Sequence, residues 1–243
     1  MDLRSVVLGV GSPSCTIKDE FTCFSGTGSK YYVSGNRTNE NYKEFCQEVA
    51  DKHPSNTINW SYSKPYDEGT PEEHDYVVTL GNGVSAFDKD QCEESMKKLI
   101  NSCDTSDNPM NWKGGGRYIR DNGDYKYELN PRRSNRPWPP PKNPYGRCEG
   151  WYKVFFSHYE VEGAGFATLD YGQKTMLPNM NGCYGLGTTK WKFDYHDNPA
   201  DHNGYEWKAT FNTPIWVRAR CWKNNKVVKA AGGWTDGCGG NDA

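Results

Sequence analysis

The aromatic side chains are the residues of this sequence whose chemistry is easiest to connect with a ligand. The chain of 243 residues contains nine tryptophans, and aromatic residues make up 14% of it. Flat aromatic faces can stack on sugar rings while nearby polar groups fix the orientation of the ligand. We expect most indoles in the core. Trp138, in a proline-rich segment, and Trp216 and Trp222, on the polar side of a predicted strand, are expected at the surface as candidate carbohydrate-binding residues.

Paired carboxylates, as used in glycoside hydrolysis, are harder to identify. Five acidic residues cluster in the loop from Asp67 to Asp75, and Glu160 and Glu162 lie on a predicted strand. No pair stands out as an acid and a nucleophile, and we expect the acidic loop to be solvated. The G-x-S-x-G motif of a serine nucleophile is absent. The sequence therefore leaves the catalytic residues unknown and disfavours an enzyme without excluding one.

A turn rich in histidine and aspartate is the best candidate for a metal site. Its side chains are His196, Asp197, Asp201 and His202. Imidazole and carboxylate groups at short spacing can bind metal ions. Asn198-Pro199 and Asn203-Gly204 are turn signals, however, and they favour a polar connection between two strands. We therefore expect no metal site and no cofactor.

Nine cysteines and a hydrophobic content of only 35% indicate a fold that is held together by disulfides. No C-x-x-C pair or zinc-finger spacing is present. We expect an oxidised chain in which bridges form among Cys15, Cys23, Cys46, Cys92, Cys103, Cys148, Cys183, Cys221 and Cys238. The odd number leaves at least one thiol unpaired, and the connectivity stays open.

Several other features favour a secreted, extracellular protein. Asn36 and Asn59 stand in N-x-[ST] sequons and are candidate glycosylation sites. No stretch is long and apolar enough for a transmembrane helix. The apolar run after Met1 is too short for a signal peptide, so we expect that a signal has been removed. A net charge of −2 gives no reason to expect nucleic-acid binding.

The first half of the chain is predicted to fold in the order β-α-β-β-α-β. A first helix is expected from about Asn39, and a second after Asp88, which forms a capping box with Gln91. Asn122-Gly123 predicts a two-residue type I′ hairpin turn. Two helices on one face of an antiparallel sheet suit this order.

Cysteines on the apolar faces of these two helices predict a bridge between them. Cys46 is expected to meet either Cys92 or Cys103 in the helix layer.

The second half is rich in predicted strands. The apolar run from Tyr152 to Val161 is interpreted as one strand, and alternating residues predict others at Trp191–Tyr195, Tyr205–Phe211 and Ile215–Cys221. We expect an α+β fold of two antiparallel sheet-plus-helix lobes, stapled by disulfides. The lobes are assigned to residues 1–130 and 148–243.

A linker rich in proline and arginine, residues 131–147, joins the two predicted lobes. It contains six prolines and five cationic residues but no acid, so we expect it to be exposed and stiff. Three functional alternatives stay open beside that of a plain linker. The segment could dock in a proline-recognising groove, it could bind acidic polysaccharide or lipid head groups, or Arg132 and Arg133 could form a dibasic processing site.

Several segments carry a pattern that extends roughly from Cys92 to Cys238. They are CEESMKKLINSCD, NPMNWKGGGRY, YELNP, YKVFFSHYEVEGAGF, GCYGLGTTKWKFDY and AGGWTDGC. Together they resemble a cysteine-rich domain of secreted fungal proteins, which also occurs at the C-terminal end of long fungal chitinases. The resemblance implies a fungal extracellular protein and assigns no catalytic residue. The β-α-β-β-α-β order is similar to that of small fungal killer toxins.

Two classes of function follow from these observations. The first is a secreted cysteine-rich effector or killer-toxin-like protein that binds a host or competitor protein. The alternative is a protein of the cell wall that binds polysaccharide or acts on glycosides, as the tryptophans and the chitinase resemblance suggest. The expected partner is thus a protein or a cell-wall polysaccharide.

Overall fold

Two five-stranded sheets organise the part of the chain that the computed structural model describes, which comprises residues 18–55, 58–82, 84, 86–104, 107–184, 187–216 and 226–241. Residues 182–184 are described by their backbone alone. Cys15, Cys221 and Trp222 lie outside the described residues, as does most of the strand predicted at Ile215–Cys221.

The first sheet has the strand order β1-β6-β7-β4-β3, and all of its pairs are antiparallel. A separate two-stranded ribbon joins β2 to β5. The elements are β1 (Glu20–Cys23), β2 (Val33–Ser34), α1 (Gly35–Lys52), β3 (Ser61–Tyr66), β4 (His74–Leu80), α2 (Lys89–Ser102), β5 (Trp112–Lys113), β6 (Gly116–Arg120) and β7 (Tyr125–Pro131).

Capping side chains set the starts of both helices. Asp88 accepts a hydrogen bond from the backbone N–H of Gln91 over 3.0 Å, which confirms the predicted N-cap of α2. The Gln91 side chain does not complete the capping box, because it bonds to Asp121 and Tyr127 instead. Helix α1 begins earlier than predicted, since Ser34 is its N-cap.

The turn between β6 and β7 differs from the predicted two-residue type I′ turn. Arg120 pairs with Tyr125, so the loop contains four residues. Asp121, Asn122 and Gly123 all have positive φ angles of 51°, 57° and 103°. The Asp121 carboxylate also accepts a hydrogen bond of 3.3 Å from the side-chain amide of Gln91. The wider loop therefore contacts α2.

Both helices pack on one face of the first sheet and form its core. Alternate residues of β4, namely Tyr76, Val78 and Leu80, are completely buried, as the two-residue period of a strand requires. Cys46 of α1 is bonded to Cys92 of α2, one of the two partners expected for it. A second disulfide joins Cys23 to Cys103 and ties β1 to the end of α2.

The second sheet has the order β10-β11-β9-β8-β12, in which β12 runs parallel to β8 and the other pairs are antiparallel. A disulfide links Cys148 of β8 to Cys238 of β12. The elements are β8 (Tyr145–Tyr152), β9 (Phe156–Ala164), α3 (Leu177–Tyr184), β10 (Thr189–Tyr195), β11 (Trp207–Pro214), α4 (Lys226–Ala230) and β12 (Cys238–Gly240). Among the described residues, no helix is both long enough and apolar enough to span a bilayer.

Two predictions are wrong, one for the second half and one for the proline- and arginine-rich segment before it. The apolar run from Tyr152 to Val161 is not one strand, because the chain reverses over residues 153–155 between β8 and β9. The apolar residues of this run therefore belong partly to a hairpin tip and partly to a strand of the core. The proline- and arginine-rich segment is not exposed throughout, because Arg136 is only 5% accessible and faces carboxylates from distant parts of the chain.

Candidate functional site

Arg136 is buried in contact with two glutamates, one from each half of the chain. Its Nε donates to Oε1 of Glu206 over 2.7 Å, and its Nη2 donates to Oε1 of Glu72 over 3.3 Å. Burial by itself lowers the pKa of Arg136, but Glu206 and Glu72 raise it above its ordinary value. The guanidinium therefore stays charged inside the protein.

The two glutamates have further hydrogen-bond partners, as buried carboxylates require. Glu72 accepts from the backbone N–H of Ser34 over 2.7 Å and from the hydroxyl of Thr168 over 2.9 Å. Glu206 accepts from the backbone N–H of Gly165 over 2.8 Å. The expectation that the acidic loop is solvated is therefore wrong for Glu72, whose partners come from both halves of the chain.

Two aromatic side chains next to Arg136 hold the proline-rich segment in place. The guanidinium lies 4.3 Å from the ring centroid of Tyr32 and 4.8 Å from that of Trp112. Tyr32 donates its hydroxyl to the carbonyl of Pro137 over 2.9 Å, and Trp112 donates its indole N–H to the carbonyl of Pro141 over 2.7 Å. A stretch of five residues is thus fixed at both ends, with Trp138 inside it.

Trp138 lies beside a cavity of about 440 Å³ and is 48% exposed. The cavity has one wall from the first half of the chain and one from the proline-rich segment. Its lining residues are Ser25, Gly26, Asp104 and Asp107 on the first wall, and Trp138, Pro139, Pro140 and Lys142 on the second. The lining of this cavity therefore combines an aromatic ring with acidic, basic and hydroxyl groups.

The fold brings the first wall of this cavity together through the end of α2. Asp104 follows the Cys103 that is bonded to Cys23, and the turn over Phe24–Thr27 follows Cys23 directly. Asp104 forms an ion pair with Lys113, whose side chain is almost completely buried. The disulfide and the ion pair therefore position both Asp104 and the turn that contains Ser25.

An ion pair connects the two walls. Lys142 contacts the Asp107 carboxylate, and both side chains are largely exposed. Carboxylates, hydroxyls and ammonium groups around an aromatic face are the groups that hydrogen-bond to the hydroxyls of a stacked sugar. The acids of this cavity were not identified from the sequence, where Asp104 and Asp107 stand in an ordinary polar run after a helix.

A second cavity of about 390 Å³ lies at the other side of the turn that follows β1. Its lining residues are Phe24, Thr27, Ser29, Tyr31, Asn130, Pro131 and Arg132. Tyr31 is partly exposed there, but no carboxylate lines the cavity among the described residues. Its chemistry suits sugar binding less well than that of the cavity beside Trp138.

Trp216, the second candidate, is 80% exposed and lies in a different place from Trp138. It follows β11 next to the hairpin tip of β8 and β9, because Pro214 pairs with Phe156. Phe155 at that tip is 85% exposed. The structure therefore puts Trp216 in an apolar surface patch and does not bring it into the cavity that Trp138 lines.

The predicted modification and processing residues lie on the surface of the first half. Asn36, in the first turn of α1, and Asn59 are both exposed. Arg132 pairs with Asp75, and Arg133 donates to the carbonyls of Thr70 and Gly69. Glycosylation and dibasic processing stay predictions.

The histidine-rich turn has a more compact arrangement than the sequence indicated. The rings of His196 and His202 are stacked with centroids 3.6 Å apart, and a carboxylate oxygen of Glu162 lies 3.9 Å from Nε2 of His196. Burial lowers the pKa of His196, and the adjacent His202 lowers it further. Glu162 could not be assigned to this cluster from local spacing, because it comes from β9.

Comparison with known families matches the two halves of the chain separately. Residues 17–132 match a fungal lectin family model described as "Putative glycan binding domain", and residues 144–242 match a model described as "Fungal ACT-like domain". The chain has no match among the curated proteins. The matches do not bear on the resemblance to the C-terminal domain of fungal chitinases or on that to killer toxins. They show a protein made of regions similar to fungal domains, and the first of these regions provides the Asp104 and Asp107 wall of the cavity.

Proposed function

We propose that this chain is a glycan-binding protein whose sugar site is the cavity beside Trp138. The observation that carries the proposal is the composition of that cavity. A half-exposed indole faces two carboxylates that belong to the region similar to a glycan-binding domain. Its volume lies within the range of roughly 300–1,000 Å³ that is typical of small-molecule sites.

The chemistry assigns a role to each group. The indole face of Trp138 stacks on the apolar face of a sugar ring. Asp104 and Asp107 accept hydrogen bonds from sugar hydroxyls, and Ser25 and Lys142 donate to ring or hydroxyl oxygens. The expected ligand is a cell-wall polysaccharide, which places the protein outside the cell. The three disulfides fit such an oxidising compartment.

The proposal is tested by retention on insoluble chitin, cellulose and β-glucan. We expect the native chain to be retained by one of these and Trp138→Ala to bind at least about tenfold more weakly, which corresponds to ~1.4 kcal/mol. Trp234→Ala is the matched control, because Trp234 is 46% exposed and lies outside the cavity lining. Equal retention of the two variants would show that the indole of Trp138 is not part of the site.

The polar wall is tested separately with Asp107→Asn. This change keeps the size of the side chain but removes its charge and therefore the ion pair with Lys142. We expect weaker polysaccharide binding with an unchanged melting temperature, because both side chains are largely exposed. Lys192→Gln, which affects an exposed ion pair with Asp194 on the second sheet, is the control for a charge change elsewhere.

The apolar patch around Phe155 and Trp216 favours a second candidate function. Exposed aromatic side chains at one end of a sheet are typical of surfaces that bind another protein. An effector or killer-toxin-like protein would contact its host or competitor target through such a patch. Cell death after infiltration into leaf tissue, retained in Trp138→Ala but lost in a Phe155→Ser/Trp216→Ser variant, would favour this function over glycan binding.

A further inference from the structure

A cluster of two imidazoles and one carboxylate lies at one end of the second sheet. Glu162, His196 and His202 each offer one ligand atom, and these atoms all lie within 4.8 Å of one another. We propose that the three side chains form a binding site for a divalent transition-metal ion, for which zinc is the best match. None of them lines the cavity beside Trp138, so the inference does not depend on the proposed glycan binding.

The nitrogen of His196 gives the first independent support. Its Nε2 is buried and has no hydrogen-bond partner among the described residues. A buried polar atom without a partner is costly, so such atoms are rare and call for an explanation. Because Nε2 also lies 3.9 Å from Oε1 of Glu162, the unpartnered nitrogen faces the carboxylate across a gap that an ion could occupy.

The carboxylate of Glu162 is already oriented for this role. Arg147 donates its Nε–H to Oε2 of Glu162 over 2.6 Å, and the Glu162 side chain is 9% exposed. The other oxygen, Oε1, is the one near His196. Partners of this kind hold metal-binding carboxylates in place in known metal sites.

The connection from β10 to β11 positions the two imidazoles. The backbone N–H of His196 donates to the carbonyl of Glu206 over 2.8 Å, which anchors the start of the connection to its end. A single helical turn over Pro199–His202 then reverses the chain, with Asn203 in the left-handed region at φ 55°. The turn brings His202 back onto His196, so that the two rings lie nearly parallel, at 8°.

The cations around the cluster are paired with carboxylates of their own. Arg147 contacts both Glu162 and Glu149, and Lys208 contacts Glu160 over 2.5 Å. A divalent ion would add positive charge beside Glu162, which Arg147 already contacts. The proposal therefore predicts moderate affinity, below that of a closed structural site.

Two imidazole nitrogens and one carboxylate oxygen are a ligand set that zinc accepts at distances of about 2.0–2.2 Å. Tetrahedral coordination at such distances brings ligand atoms to about 3.4 Å from one another, and an imidazole binds a metal ion in the plane of its ring. The exposed His202 ring would therefore turn out of its stack on His196 when an ion binds. Three protein ligands leave the fourth position to water or to an added ligand. The site would be accessible from the His202 side, because that residue is exposed.

Zinc binding to the full chain, without a histidine tag, tests the proposal. Titration calorimetry should give one equivalent of zinc, and zinc should raise the melting temperature. His202→Ala removes an exposed ligand with little risk to folding. Glu162→Gln removes the negative charge of the carboxylate ligand. Each should weaken zinc binding at least as much as the ~10–100-fold that is typical when a residue that only orients a metal ligand is lost. Cobalt in place of zinc should give the visible absorption of a tetrahedral site in the native chain but not in His202→Ala or Glu162→Gln.

His53→Ala is the control, because His53 lies after α1, in the first half of the chain. The proposal holds if this variant binds zinc as the native chain does while His202→Ala and Glu162→Gln do not. It is overturned if the native chain binds no stoichiometric zinc. It is also overturned if either ligand variant binds zinc with unchanged affinity, or if His53→Ala weakens binding as strongly as they do.

Discussion

The guanidinium of Arg136 and the carboxylate of Glu206, which are 70 residues apart in the sequence, are joined by a hydrogen bond of 2.7 Å, and their side chains are only 2% and 0% exposed. Removing one member of a buried ion pair leaves the other charged and unpaired. Arg136→Ala should therefore lower the free energy of unfolding by about 3–5 kcal/mol. Denaturant unfolding followed by tryptophan fluorescence measures this loss.

Arg117→Ala is the control for this change, because Arg117, which pairs with Glu128 on the first sheet, has a half-exposed side chain. Exposed pairs contribute about 0.2–1 kcal/mol. A loss of that size in Arg136→Ala as well would contradict a central role of the buried pair.

His74 should make stability depend on pH. Burial lowers its pKa, with Arg37 acting in the same direction, whereas the carbonyl of Glu72 and the carboxylates of Asp67 and Glu72 oppose the shift. A folded-state pKa below the unfolded value of about 6.5 means that the unfolded chain binds more protons near pH 6. The contribution is complete above about pH 6.5 and is lost as the pH falls below it.

The measurement is the free energy of unfolding between about pH 7.5 and pH 5.5. The native chain should lose stability over this range, and His74→Gln should have a flatter profile even if its stability is lower throughout. The same substitution at a histidine outside the core, His53→Gln, is the control. An equal slope in native chain and His74→Gln would show that His74 does not cause the dependence.

The bridge between α1 and α2 should contribute strongly to stability. Cys46 and Cys92 are separated by 46 residues, and closing a loop of that length stabilises by about 4 kcal/mol in the chain-entropy account. The Cys46→Ala/Cys92→Ala variant should lose about that much in oxidising buffer. The intact mass of the native chain should be at least six hydrogens below the fully reduced mass, since three disulfides are described. A fully reduced native mass, or an unchanged stability in the variant, would contradict this.

Two glycines with positive φ angles should differ in their response to alanine. A Cβ on Gly123, at φ 103°, would meet no atom within 4 Å, so Gly123→Ala should cost only the backbone strain of about 1–2 kcal/mol. A Cβ on Gly115, at φ 72°, would lie 2.4 Å from the carbonyl oxygen of Leu129 and from the ring of Pro131. Gly115→Ala should therefore be clearly more destabilising in thermal unfolding. A larger loss of stability in Gly123→Ala than in Gly115→Ala would mean that β7 can move away from position 115 at little cost.

Short-range sequence signals predicted both helices of the first half and the position of the turn between β6 and β7, but not the geometry of that turn. Asp88 is the N-cap of α2 because its carboxylate needs only a partner three residues on. The Asn122-Gly123 turn was placed correctly, but its geometry differs, as Gln91 and Asp19 both bond to Asp121. Partners that are so distant in the sequence cannot be predicted from the residues of the turn alone.

The buried charges around Arg136 could not be predicted, because the groups that compensate them are far away in the sequence. The segment around Arg136 contains no acid, so its burial was not expected. The compensating glutamates lie 64 and 70 residues away. Trp138 could be singled out by composition alone, whereas Asp107 became a candidate only when the structure placed it in the lining of the same cavity.

The parallel strand β12 determines how the second sheet ends. It contains only three residues, and it covers the outer side of β8 while the disulfide from Cys148 to Cys238 keeps it there. Without that cover, β8 would offer unpaired backbone N–H and C=O groups over Cys148–Gly150 to a strand of another chain. The bridge therefore protects a sheet edge from association with other copies of the chain. Reduction should consequently promote aggregation through β8 even where the rest of the fold survives.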